Sequence, residues 1–230
     1  MNIAFFGASS QIAKGLIKKF AKQKTNKLFF FVRDKQLFSE WISNQELYFD
    51  NSQIKLYDDL SEDFRVDLFI NCIGSGDPAK TKNMGSTIIP ITQKYDEQIL
   101  SYLNFYPDAK YIYLSSGVAY GDVFSSPPDK YTSVNFDIKS TKLEDMYAIS
   151  KIKTELAHRS QPQFSIIDIR IFSYFDSEVS INNRFFLTDA LRSIQAKKIF
   201  LTNQHNMTRD YIGSDDLFQL ISKLVSINKL

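Results

Sequence analysis

Cysteine is nearly missing from this chain: Cys72 is the only one in 230 residues, so no internal disulfide can form, which argues against a secreted, bridge-stapled scaffold. Long apolar runs are missing too. No stretch approaches the roughly 20 apolar residues of a membrane helix, and Met1 leads straight into "NIAFFG", with no room for a charged region and cleavage site. The expectation is a cytoplasmic protein, with no membrane partner, read from its own start. Neither charge is in excess: 28 Lys and Arg against 26 Asp and Glu give a formal +2, which is not the basic stripe of a nucleic-acid binder. A phosphate-bearing small molecule stays compatible. Histidine occurs twice; neither His158 nor His205 has a partner at metal-ligand spacing, so both are assigned to surface or packing and no metal is expected.

What the chain does have is apolar material, 43% of residues, enough for one substantial core. Its runs alternate between two periodicities. Short, nearly continuous apolar stretches at 2–6, 27–32, 53–57, 66–73, 110–116 and 164–172 read as buried parallel strands. Between and after them, 11–23, about 89–105, about 143–159, 184–196 and 214–227 carry helical spacing, with a short "KIFL" at 198–201. Six strands with crossover helices predict an α/β doubly wound parallel sheet, a Rossmann fold. The irregular stretch 121–141, interrupted by Pro127 and Pro128, is long enough to be expected to form a wall of the substrate pocket.

At the end of the first strand, "GASSQIA" (7–13) supplies the small residues that let backbone amides approach a pyrophosphate at a helix N-terminus. Gly7, Ser10 and Ala13 stand where a G-x-x-G-x-x-G turn has its glycines; a strand–turn–helix with a small-residue cap and no ligand stays open. After the second strand, Arg33 can pair with a 2′-phosphate, which favours NADP, while the neighbouring Asp34 keeps NAD as the alternative. Asp59 and Leu60, in "DDL" after the third strand, could hold the adenine edge.

Tyr147 and Lys151, at i and i+4 in "YAISK", share one helix face. An ammonium beside a phenol that titrates near 10 brings it closer to working pH, so the pair can exchange protons. "LSSGVAYG" (114–121) ends the fifth strand with hydroxyls where ligands of parallel sheets bind.

Taken in order, the small-residue turn, "SSGVAYG", "YAISKIKTE", "IRIFSYF" (169–175) and "RDYIGSDDL" (209–217) resemble the extended short-chain dehydrogenase/reductases, specifically the NAD(P)-dependent epimerase/dehydratase group that acts on nucleotide sugars. The resemblance spans about residues 2–217. It implies cofactor contacts at Gly7, Ser9, Ser10, Gln11, Ile12, Arg33, Asp59, Leu60, Cys72, Ile73 and Gly74, with Cys72 equally readable as a small core residue. It implies a hydrogen bond from Ser116 to the substrate oxygen, proton exchange at Tyr147, and Lys151 holding the nicotinamide ribose. Substrate contacts fall on Ser116, Gly117, Ser173 and Arg209.

Two departures narrow the activity. The Asp-Glu pair that follows the hydroxyl in sugar-nucleotide dehydratases is Gly117-Val118 here, and neither can ionise. The family's asparagine in "IRIFSYF" is Ser173. The expected layout is a dinucleotide-binding part at 1–172 and a small, reduced C-terminal substrate-binding part at 173–230. The expected activity is NADP-dependent reduction of a nucleotide-linked deoxy-keto sugar for surface-polysaccharide precursors. An NAD-retaining epimerase and a non-catalytic NAD(P) sensor are the alternatives, and a homodimer through the helices after strands four and five is open.

Overall fold

In the computed structural model of the protein, the apolar runs form β1 (Asn2–Phe6), β2 (Lys27–Val32), β3 (Ile54–Leu56), β4 (Leu68–Asn71), β5 (Lys110–Ser116) and β6 (Ser165–Ile171). They make one six-stranded sheet in the order β3-β2-β1-β4-β5-β6, parallel at every pairing. The helices are α1 (Gln11–Phe20), α2 (Lys35–Ser43), α3 (Pro78–Met84), α4 (Ile88–Phe105), α5 (Met146–Arg159), α6 (Phe186–Gln195) and α7 (Ser214–Ser226). The structure describes residues 1–45, 47, 49–75, 78–121, 127–134, 137–140, 142–202, 204 and 208–227.

Side chains alternate across β1, so its neighbours build two cores. Ile3 and Phe5 face α1, α2 and α7 through Leu16, Ile17, Phe20, Phe38, Leu217 and Ile221. Ala4 and Phe6 face the opposite layer, where α4 contributes Ile99, Tyr102 and Leu103. Each fully buried Phe, Leu or Ile contributes about 1.5–3 kcal/mol, which is why both faces of the sheet are covered. The chain runs outward from β1 to β3 and then returns past β1 to β4. The reversal opens a crevice at the carboxyl ends of β1 and β4, the place where such sheets take ligands.

The expected strands are trimmed by side chains that capture the backbone. The carboxylate of Asp59 accepts the Leu56 amide at 2.7 Å, which turns the chain after β3. The Asn71 side chain accepts the Ile73 amide at 2.9 Å, ending β4. Helices α2 and α3 were not singled out by periodicity; α2 starts because the Asp34 carboxylate caps it, accepting the Leu37 amide at 3.0 Å. The "KIFL" stretch forms neither helix nor strand, and Ile199 and Leu201 are 86% and 85% exposed. The loop expected as a pocket wall includes residues 122–126, 135, 136 and 141, which lie outside the described residues, as does His205.

His158 needs correcting from a bland packing residue. It is buried on α5 with a carboxylate at each ring nitrogen, Asp168 at 2.6 Å from Nδ1 and Asp96 at 2.8 Å from Nε2. No spacing rule brings residues so far apart in the chain into one cluster.

Candidate active site

Gly7 turns the chain out of β1 with a φ of +75°, and a Cβ there would sit 3.0–3.1 Å from Ile73 and the Cys72 backbone. Only glycine meets both demands. Ser10 then caps α1 by accepting the Ala13 amide at 3.2 Å. The first turn of any helix leaves its leading amides without intrahelical acceptors, so the N–H groups of Gln11 and Ile12, next to exposed Ser9, are left for another acceptor. The amides of Gly7 and Ala8 are committed instead to Phe31 O, at 3.1 and 3.2 Å.

The neighbouring strand ends complete this side. Cys72 lies buried beneath the turn, and burial pushes its thiol up to about 12 against the opposing influence of Lys151 and Ser10. Arg33 is exposed at the end of β2, while Asp34 is occupied in capping α2. Asp59 pairs with Lys35 at 2.8 Å, and this hydrogen bond, with that of the Leu56 amide, holds its carboxyl below the usual carboxylate range. Half-buried Leu60 packs on the core below. Sequence reasoning missed Tyr57, which is buried near the Gly7 turn, close to Arg33 and 4.2 Å from the Tyr95 ring. An aromatic at a strand end carries no signal of that contact.

On the other side of the crevice, β5 delivers Ser116 and α5 delivers Tyr147 and Lys151. The Ser116 hydroxyl lies near enough to the Tyr147 phenol to favour its charged form. Lys151 is 2% exposed, and its ammonium donates to Leu114 O at 2.8 Å and Ile73 O at 3.3 Å. Gly74 lets it in: a Cβ on Gly74 would lie 3.2 Å from Lys151 Nζ and 4.0 Å from the Tyr147 ring. The turn, the β4 end and the Ser116–Tyr147–Lys151 group therefore share one edge of the sheet.

Burial raises the Tyr147 pKa, with Ser116 acting in the opposite direction. Lys151 Nζ lies 5.8 Å from the Tyr147 ring centroid and donates to the two carbonyls. Burial also lowers Lys151 to about 8, with Cys72, Glu155, Asp96 and Asp168 opposing that shift.

The residues expected on the substrate side are spread more widely. Gly117 is buried against the Phe172 ring, 2.6 Å from where a Cβ would stand. Ser173 follows β6 and accepts the Ile212 amide at 2.9 Å, tying that strand end to the segment before α7. Arg209 is exposed, its guanidinium 5.2 Å from the Phe186 ring at the start of α6. Behind Ser116, Ser115 donates to Glu155 at 2.6 Å, and Arg170 Nε donates to the same carboxylate at 2.9 Å. The Arg170 guanidinium lies 4.1 Å from the Tyr120 ring, which stacks on Phe172. Gly117→Ala is expected to destabilise the protein by about 1–3 kcal/mol through overpacking, read as a lower melting temperature. Adding Phe172→Ala should restore most of that loss; losses that simply add would refute the steric account.

Among the described residues, no group of side chains suits a metal ion and no helix is long and apolar enough to cross a membrane. The model for the NAD dependent epimerase/dehydratase family matches residues 3–228. No curated protein matches. Among solved structures, dTDP-glucose 4,6-dehydratase from Bacillus anthracis in complex with NAD superposes with a TM-score of 0.74 at 14% identity, covering 100% of this chain and 73% of that one. UDP-glucuronic acid 4-epimerase from Bacillus cereus, in complex with UDP-glucuronic acid and NAD, gives 0.75 at 16% identity, covering 100% and 74%. UDP-N-acetylglucosamine 4-epimerase from Methanobrevibacter ruminantium, in complex with UDP-N-acetylmuramic acid, gives 0.77 at 14% identity, covering 97% and 72%. These likenesses show a shared fold, and the family match extends over nearly the whole chain. The chain belongs to the NAD-dependent epimerase/dehydratase family, within the extended short-chain dehydrogenase/reductases.

Proposed function

We propose that the protein is an NADP-dependent ketoreductase of a nucleotide-linked keto sugar. The observation that carries this reading is Tyr147, a phenol whose burial keeps its proton, beside Ser116 at the sheet edge that the Gly7 turn shares. A protonated phenol is the form that can give a proton to a carbonyl oxygen. Reduction needs that donation, whereas oxidation of an alcohol needs a base first.

A dinucleotide suits the residues present. The glycine at position 7, whose Cβ would fill the space above Ile73, and the leading amides of Gln11 and Ile12 suit a pyrophosphate. When bound, the reduced nicotinamide supplies a hydride to the carbonyl carbon. Ser116 donates a hydrogen bond to the carbonyl oxygen and fixes its direction. Tyr147 delivers its proton to that oxygen as the C–O bond becomes an alcohol, so one hydride and one proton are consumed per substrate. Lys151, held by Leu114 O and Ile73 O, offers its remaining donor to the nicotinamide ribose and its charge to the phenolate left behind. Gly117 and Val118 cannot ionise, so water elimination has no acid–base pair here.

In this reading residues 1–172 hold the cofactor and the proton donor, and residues 173–230, with Ser173 and Arg209, meet the nucleotide sugar. Arg33 selects NADP because it is an exposed cation at the end of β2, while Asp34, the group that would favour ribose hydroxyls, is spent on capping α2. Arg33→Ala is expected to weaken NADPH about 10–100-fold, the worth of a charge-assisted phosphate contact, and to leave NADH unchanged. Fluorescence titration with both cofactors reads this directly. With a keto nucleotide sugar, NADPH should be consumed one for one.

An NAD-retaining epimerase is the second reading, favoured by the two solved epimerases that share the fold. It predicts sugar interconversion without net NADPH consumption and tighter binding of NADH.

A further inference from the structure

Helix α5 carries a second buried cation. With a carboxylate at each ring nitrogen, His158 must donate from both, so it is an imidazolium clamped between α4 and β6. The clamp does not end there. The Asp96 oxygen that meets His158 also accepts the Tyr111 hydroxyl at 2.6 Å; Tyr111 in turn accepts Asn71 Nδ2 at 2.8 Å. Asn71 Oδ1 accepts the Ile73 amide, and Ile73 O accepts Lys151 Nζ. Asn71 and Tyr111 are fully buried and Asp96 is 2% exposed, so water cannot break the string.

A shorter route runs alongside. The Tyr113 ring lies 4.4 Å from Lys151 Nζ on one side and 5.4 Å from the His158 ring on the other. The groups facing His158 are Asp96 from α4, Asp168 from β6 and Tyr111 and Tyr113 from β5. Thr154, Glu155 and Arg159 flank it on its own helix.

We propose that His158 is a positioning residue for Lys151, setting the grip and the local charge of that ammonium through Asp96, Tyr111, Asn71 and the Ile73 backbone. Packing alone needs no second carboxylate and no charged ring. Burial opposes the charge on His158, but the hydrogen bonds to Asp168 and Asp96 outweigh it and carry its pKa to about 9. As pH rises through that value the clamp loses a proton, and Asp96 and Asp168 stand less compensated behind Lys151. That this matters for a cofactor rests on the function proposed above; the coupling itself does not.

The test is NMR on the full chain with 13C-labelled lysine, following the Lys151 Cε signal between about pH 6 and about pH 10. The signal is assigned by its loss in Lys151→Met. In the wild type it should move in two steps, one of them coinciding with His158. His158→Gln removes a positive charge, so the second step should vanish and the Lys151 midpoint rise by about one unit. Asp168→Asn removes one of the two carboxylates that hold the proton on His158, so the step that coincides with His158 should move to lower pH. A Lys151 signal that follows His158 in this way is not what a merely structural role produces. A single step at one pH in all three proteins overturns the inference. If His158→Gln does not fold, Asp168→Asn, at the partly exposed end of the clamp, decides by itself. NADPH and NADH titrations on the same samples separate the two proposals. Coupling without cofactor binding sinks the function alone, and cofactor binding without coupling sinks this inference alone.

Discussion

Tyr147→Phe is expected to lower turnover by about 10²–10⁴-fold, the usual worth of a positioned proton donor, with cofactor affinity nearly unchanged. The ring stays and only the hydroxyl goes. The Phe ring keeps the packing on the β4 end, where Gly74 leaves room for it. Because burial raises the Tyr147 pKa, the wild type should hold this proton well into alkaline pH in the absence of ligand. In the reductive direction, activity should therefore not require a deprotonated phenol at neutral pH. Single-turnover reduction measured against pH checks both points. A Phe variant that reduces substrate at the wild-type rate would remove Tyr147 from the chemistry.

Lys151→Met should separate folding from function. The ammonium is fully buried, and burial lowers its pKa from 10.5 to about 8. A lysine whose folded pKa lies below its unfolded value costs stability while it is protonated; the cost is full below about 8 and fades as pH rises toward 10.5. Met fills the same volume without charge, and replacing a buried ion by a matched apolar side chain is often neutral or stabilising. At neutral pH the variant should gain up to roughly 3 kcal/mol, less what the freed carbonyls of Leu114 and Ile73 lose. That advantage should shrink between about pH 8 and pH 10.5, read as converging urea midpoints. Turnover should fall about 10³-fold or more, since the proposed ribose contact and the proposed charge on the phenolate are both removed. A variant less stable than the wild type at every pH would show that the two carbonyl contacts outweigh the desolvation of the charge.

Much of the fold was legible because parallel strands buried on both faces read as unbroken apolar runs. "NIAFF", "KLFFFV" and "KYIYLSS" are β1, β2 and β5 with the expected limits. Strands β3 and β4 were overestimated because their ends are set by Asp59 and Asn71, polar side chains that capture backbone amides where a hydrophobicity pattern sees continuity. Helix α2 was overlooked although its cap, Asp34, was in view as a cofactor candidate; one carboxylate had two plausible duties, and geometry assigned it to the cap.

The candidate site divides along the same line. Tyr147 and Lys151 could be paired from helical spacing alone, and Gly7 from the turn it makes. The approach of Ser116 to Tyr147 depends on how β5 and α5 pack, and Tyr57 under the Gly7 turn depends on how β3 ends.

From the order of residues came the Rossmann class, because period and turn chemistry are local properties of the chain, while the candidate hydroxyl, phenol and ammonium came from the resemblance to the family. Only the tertiary structure decided the charges. It set the Lys151 ammonium on two carbonyls, and it gathered Asp96, His158 and Asp168 from α4, α5 and β6 into one buried cluster. Burial and the approach of distant elements set those interactions, and neither is written in sequence separation.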